Sequence, residues 1–272
     1  MSPSASKAMT VEFISTPGAG KTTLLPVVNE FFASRGLHAR SVLEASRPFT
    51  QRTKIGKLVN SWAPASLKGP LLWQVFYHSS RMRRAVFRNE NQELLDSVLR
   101  FQRTRPISRS DRQHVLRWFI NLTGQYHFLK EHARANDVLI FDEGFIHRVV
   151  QLFASEAEPP DGIRIRSYLS LIPVPDLIIT PQVSLKTCIE RVYRRGIWER
   201  FKDRDKEVVS RFMTNAHTIV NLAIDYIHTR GWPVIQIINE NQHPADSARQ
   251  LRQKLASLYA PAAEEVFISI NA

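Results

Sequence analysis

The sequence predicts an α/β fold: a parallel sheet covered on both faces by helices. Three observations predict it. Short, near-continuous apolar runs alternate with stretches of helical spacing, as strands buried on both faces do. A turn of small residues joins the first run to the first helix. A long basic stretch of helical spacing then interrupts the alternation after the second run.

Taken in order, residues 1–10 read as a loose arm and residues 11–14 as a buried strand. Residues 21–35 read as a helix closed by Gly36, with Pro26 removing one of its backbone bonds. Residues 39–43 read as a second strand ended by Glu44. Beyond residue 46 the spacing is helical around 71–87, 91–101 and 111–129, and Pro106 marks a loop over 102–111. A third strand, 138–141, stops at Asp142-Glu143-Gly144. A fourth, 177–180, follows Pro173 and Pro175. Ser184 is suited to cap a helix over 184–195. A long helix over 208–229 ends at Gly231 and Pro233, a last strand covers 234–238 and a last helix 244–258. Residues 261–272 carry no clear pattern, and no internal repeat is visible.

The chain has 272 residues, 43% hydrophobic and 23% charged, enough for one large domain over 1–272. With Gly 10, Pro 15 and a single cysteine, collagen-like, disordered and disulfide-scaffold classes are excluded. Cys188 has no internal partner, which points to a reducing compartment. The first ten residues lack the apolar core of a secretory signal, and no apolar run approaches the roughly 18 residues of a membrane span. A soluble, cytoplasmic protein is expected. The net charge is +12, and it is localised: residues 47–118 hold 15 Lys/Arg against 4 Asp/Glu. A localised basic field implies an anionic partner, with a solvated basic face as the plain alternative.

Ser15-Thr16-Pro17-Gly18-Ala19-Gly20-Lys21-Thr22, followed by Thr23, matches the Walker A pattern except at its first position, where Ser15 replaces Gly. Gly18 and Gly20 let the backbone curl so that N–H groups, including those around Thr16 and Ala19, turn toward phosphate oxygens. The helix N-terminus adds partial positive charge. Lys21 is placed to reach the outer phosphates of ATP, and Thr22 to offer a hydroxyl to Mg2+. Asp142 closes a buried strand, the position of a Walker B carboxylate beside the metal; a cap after the strand is the plainer reading. Glu44, at the end of the second strand, could take a proton from an acceptor hydroxyl, or could simply begin a surface loop. Arg191, Arg194 and Arg195 recur on one helical turn and lead into an arginine-rich segment ending at 207. Arginines so placed stabilise a transferring phosphoryl group from a mobile flap; alone they would read as an ordinary charged face.

Together FISTPGAGKTT, VLIFDEGF and PDLIITPQVSLKTCIERVYRRG resemble the thymidylate kinase and deoxynucleoside kinase branch of the P-loop kinases. The resemblance covers residues 10–46 and 121–258. It implies a three-layer P-loop NTPase fold, with residues 47–120 as a basic, mainly helical insertion on the acceptor side and residues 191–207 as a LID. It implies that Gly18, Gly20, Lys21 and Thr22 contact phosphate and magnesium, that Asp142 is the metal-side carboxylate, and that Arg191, Arg194 and Arg195 are LID arginines. Glu44 falls where deoxynucleoside kinases keep their base, and residues 239–244 where a loop packs near adenine. This chain departs from the pattern in having Asp142-Glu143 where thymidylate kinases carry Asp-Arg, and Ala45-Ser46-Arg47-Pro48 where they carry Pro-Gly-Gly.

The function expected is ATP-dependent transfer of the γ-phosphoryl to a small nucleoside- or nucleotide-like acceptor. RNA-borne, glycan and lipid-linked acceptors are alternatives, because aromatics are interleaved with the cations of 47–120 and residues 71–87 could dock on a surface. A nucleotide-gated regulatory protein is the alternative of a different class. The partner expectations are therefore ATP, an anionic or nucleoside-like acceptor, a nucleic acid or anionic lipid on 47–120, and a second copy of the chain. No histidine pair has zinc-ligand spacing. His147, close behind Asp142, could touch substrate or sit in the core.

Overall fold

The computed structural model describes residues 8–240 and 243–259. At its centre lie β1 (Met9–Phe13), β2 (His38–Ser41), β3 (Asp137–Phe141), β4 (Leu177–Gln182) and β5 (Val234–Ile238). They form one sheet in the order β2-β3-β1-β4-β5, with every pairing parallel. Parallel neighbours need crossover connections, and these lay helices over both faces. One face packs Val11 and Phe13 against α1 (Lys21–Ala33) and α11 (Pro244–Leu258), burying Leu24, Val28, Phe32 and Leu251. The other packs Ile14 and Phe141 against a larger helical layer. This is the three-layer α/β arrangement anticipated from the sequence, with β1 and β3 central and adjacent.

The stretch between β2 and β3 is helical throughout: α2 (Val42–Arg52), α3 (Lys54–Trp62), α4 (Ala65–Glu90), α5 (Gln92–Thr104) and α6 (Arg109–His132). One expectation is corrected here. The second strand ends at Ser41, not at residue 43, because Ser41 caps α2 and Glu44 answers it. The Ser41 hydroxyl accepts from the Glu44 N–H, and the Glu44 carboxylate accepts from the Ser41 N–H at 2.8 Å. This reciprocal capping box begins a helix where the apolar Val42 and Leu43 suggested more strand. The loop expected over 102–111 is also shorter, since Ser108 caps α6 through the Asp111 N–H.

Phe76, Phe87 and Phe119 are buried core, whereas Trp62, Trp73 and Tyr77 face solvent. Asp137, buried at the start of β3, accepts from Arg40 and Arg52 and so ties β2 and α2 to the sheet.

Two helices without a clear sequence pattern follow β3: α7 (Phe145–Phe153) and α8 (Gly162–Leu171). The carboxylate of Glu12, buried in β1, caps α7 by accepting from the N–H groups of Phe145 and Ile146 at 3.1 and 2.8 Å. At the other end of α7, Gln102 and Arg105 donate to the carbonyls of Leu152 and Ala154. Then come α9 (Leu185–Arg195), capped by Ser184 as expected, and α10 (Lys206–Thr229). Between them a short turn sets Trp198 and Phe201 against Phe212. Among the described residues, no helix is long and apolar enough to cross a membrane.

Candidate active site

The turn between β1 and α1 sits at the carboxyl end of the central strands, where open α/β sheets bind ligands. Gly18 and Gly20 both have positive φ, 88° and 92°. Each is also closely approached. A Cβ on Gly18 would lie 2.5 Å from the Cys188 carbonyl, and one on Gly20 would overlap the Asn239 amide. The loop is therefore gripped by α9 and by the segment after β5. Asn239 donates to the Ala19 carbonyl at 2.8 Å and is itself oriented by the Ser247 hydroxyl at 2.8 Å. Thr16 is held from behind by His217 Nδ1 at 3.0 Å.

Lys21 donates from its ammonium to His147 Nε2 at 2.7 Å. Burial of the ammonium brings its pKa down to about 8, against the pull of Glu143 and Asp142. Burial, then the charge of Lys21, holds His147 well below its ordinary value, so the imidazole is neutral and accepts. Its proton then sits on Nδ1, which has no hydrogen-bond partner among the described residues. Asp142 and Glu143 end β3 as exposed carboxylates. Arg148 and Gln151 engage Glu143 at 3.4 and 3.0 Å.

These groups line one cavity of about 960 Å³. Of the residues singled out by the sequence, it brings together Thr16, Gly18, Ala19, Gly20, Lys21, Thr22, Thr23, Asp142, Arg191 and Arg195. Arg191 and Arg195, four apart, share a helical stripe. Arg191 also donates to the carbonyls of Asn239 and Glu240 and so braces the turn after β5. Arg194 is exposed and lies outside the cavity lining. Glu44 likewise lies outside it, bound into its own helix cap. Of the loop expected near adenine, Asn241 and Gln242 fall outside the described residues.

Sequence reasoning missed a second part of the lining. It is made by Asp111, His114, Val115 and Trp118 of α6, spaced three and four apart along one helical face. His114 meets Trp118 edge to face, with ring centroids 4.8 Å apart. That spacing is visible in the sequence, but nothing local says the stripe faces the phosphate loop. Trp198, Glu199 and Phe212 complete the rim.

The donor set fits a nucleotide polyphosphate and a magnesium ion. The loop supplies a left-handed backbone cradle, and Ser15 brings to the cavity a buried hydroxyl with no partner among the described residues. Thr22 and Asp142 supply hard oxygen donors. Among the described residues no group of three His, Cys, Asp or Glu could hold a metal by itself.

No protein-family model and no curated protein matches the chain. Solved structures do. The thymidylate kinase of Candida albicans superposes with a TM-score of 0.51 at 12% identity, over 94% of this chain and 93% of that one. A deoxyadenosine kinase from M. mycoides with bound dCTP covers 92% of this chain and 100% of its own, at 13% identity and a TM-score of 0.39. The chain therefore shares its fold with that thymidylate kinase at low sequence identity.

Proposed function

We propose that this chain is an ATP-dependent phosphotransferase that moves the γ-phosphoryl group to a small nucleoside- or nucleotide-like acceptor. The observation that carries this reading is the cavity itself. A phosphate cradle bearing Lys21 forms one wall, and an aromatic and polar helix face bearing Trp118 forms another. A cavity so lined supports a reading in which a donor phosphate and a planar acceptor share one enclosure, the first requirement of direct transfer.

In this reading the loop N–H groups and Lys21 hold the outer phosphates, and Arg195 adds positive charge where the transferring oxygens become negative. Thr22 and Asp142 would hold magnesium, which when bound neutralises phosphate charge. Neutral His147 keeps the Lys21 ammonium at the floor of the cavity until phosphate oxygens compete for it. Trp118 offers an acceptor base a stacking surface, and Asp111 and His114 offer it polar contacts. An acceptor that presents a phosphate needs no base, because the attacking oxygen is already ionised.

The test is ADP release from ATP against a panel of nucleosides, nucleoside monophosphates, sugars, sugar phosphates and bulk tRNA. Stimulation by one small class is expected. Trp118→Ala should then raise KM for that acceptor about tenfold, with KM for ATP little changed, the loss expected of one stacked base. Slow hydrolysis that no acceptor stimulates would overturn the reading in favour of a nucleotide-gated protein.

A further inference from the structure

Helix α3 is turned the wrong way for a core helix. Gly56 is its one buried residue, pressed so closely to the Thr50 carbonyl that a Cβ there would overlap it. Ile55, Leu58 and Trp62, three and four residues apart, form an apolar stripe that faces out, and Trp62 is 84% exposed. An amphipathic helix on a soluble domain buries that stripe. The stripe is not isolated, because Leu67, Leu71 and Met82 are also exposed on the helix that follows, α4.

The charge carried by this stretch of chain is one-signed. From residue 45 to residue 89 the chain carries nine Lys/Arg and no Asp or Glu. Arg52 and Arg83 are occupied by Asp137 and Glu131. Lys54 and Lys57 stand exposed on α3 beside the apolar stripe. Apolar side chains accompanied by lysines on the same helix match the interface of a bilayer, where the apolar face enters the acyl boundary and lysines meet anionic headgroups.

Other occupants fit less well. RNA is gripped by cations with aromatic platforms, and although Trp62, Trp73 and Tyr77 carry rings, Ile55, Leu58, Leu67 and Met82 have none to stack on a base. A twofold dimer sets the same patch against itself, which here would press like charge on like.

We propose that the chain docks on an anionic lipid bilayer through α3 and the adjoining outer face of α4. The lysines draw it to the surface, and Ile55, Leu58 and Trp62 insert. The proposal does not rest on the phosphotransferase reading.

The test is sedimentation of the full chain with vesicles of phosphatidylcholine alone or with one third phosphatidylglycerol, at low and high salt. The chain should pellet with the anionic vesicles, remain in solution with the neutral ones, and be partly released by salt. The combined variant Ile55→Ser, Leu58→Ser, Trp62→Ser should lower the vesicle-bound fraction about tenfold with its melting temperature unchanged. Lys54→Glu with Lys57→Glu should weaken binding most at low salt. Failure to pellet, or equal binding by the apolar triple variant, overturns the proposal. So does a wild-type dimer by light scattering that the triple variant converts to monomer. RNA that displaces the wild-type chain from vesicles and binds the triple variant equally well would overturn it also, by placing the surface's use in charge alone.

Discussion

At the scale of single residues, the Lys21 ammonium is held at a cost to stability. It is buried against a neutral imidazole rather than an acid. The folded pKa of about 8 lies below the 10.5 of a free lysine. Between those values the unfolded chain binds more protons than the folded one, so stability rises with pH across that window. Below it, the full cost of burying the charge remains. Lys21→Met should therefore abolish turnover, by at least about 100-fold, while raising the melting midpoint at neutral pH by roughly 2–4 °C. It should also remove the rise in stability between pH 8 and 10.5, seen as the difference between the two pH–stability profiles. Equal midpoints and identical profiles would show that the lysine is solvated.

Glu44 makes the opposite case. Its carboxylate satisfies the Ser41 N–H at the start of α2, outside the cavity. Glu44→Gln should leave turnover within about twofold of wild type and Glu44→Ala should lose ~0.5–1 kcal/mol of stability in denaturant unfolding, the worth of a helix cap. A large fall in turnover for Glu44→Gln at unchanged ATP affinity would restore the role of base to it.

At the scale of elements, α7 deserves its own test because its N-terminal cap comes from a distant strand. Burial raises Glu12 to about 7, although the N–H groups of Phe145 and Ile146 pull it down. Gly144 has ordinary backbone angles, so its need is for space: a Cβ there would overlap the Glu12 carboxylate. Gly144→Ala should cost about 2 kcal/mol or more by breaking that cap, measured by denaturant unfolding. Since His147 rides on α7, the same change should loosen its contact with Lys21.

The elements also divide by how legible they were. Those whose signals are local were read from sequence: β5, α11, and α9 with its Ser184 cap. The cap of α7 lies 133 residues upstream of Phe145, on a strand, so no window around residue 145 contains it. For α2 the signal was local but competed with another. Val42 and Leu43 prolong an apolar run, whereas the Ser41 and Glu44 pair ends it, and hydrogen-bond satisfaction prevailed over pattern. The site divides the same way. The glycine turn after β1 is one short segment, and its place in the cavity lining, like that of Asp142, follows from its position at a strand end. The wall bearing Trp118 depends on how α6 crosses the sheet, which only packing decides.

At the scale of the whole molecule, the turn between β1 and α1 is the meeting point of distant segments. α9 touches it at Gly18, the segment after β5 grips it at Ala19 and Gly20, and α10 reaches Thr16. A ligand seated there should stabilise the entire chain rather than one corner. ATP at about 100 times its dissociation constant is expected to add ~2.7 kcal/mol, raising the melting midpoint as one cooperative transition. Two separated transitions, with only one moved by ATP, would mean that the helices over 47–120 unfold independently of the nucleotide half.

The sheet order has a consequence for how the chain is made. β2 lies at an edge and pairs only with β3, His38 opposite Asp137. Roughly a hundred residues must therefore leave the ribosome before β2 gains its partner, about 5–20 s at ordinary synthesis rates. During that wait β1 has neither of its neighbours, β3 and β4, and two sticky strand edges stand open. What emerges in the interval is almost entirely helix, and helices complete themselves from local bonds. The helical stretch can therefore begin to form while the strands wait, and its closing helix, α6, leads directly into β3, which fills the place between β1 and β2.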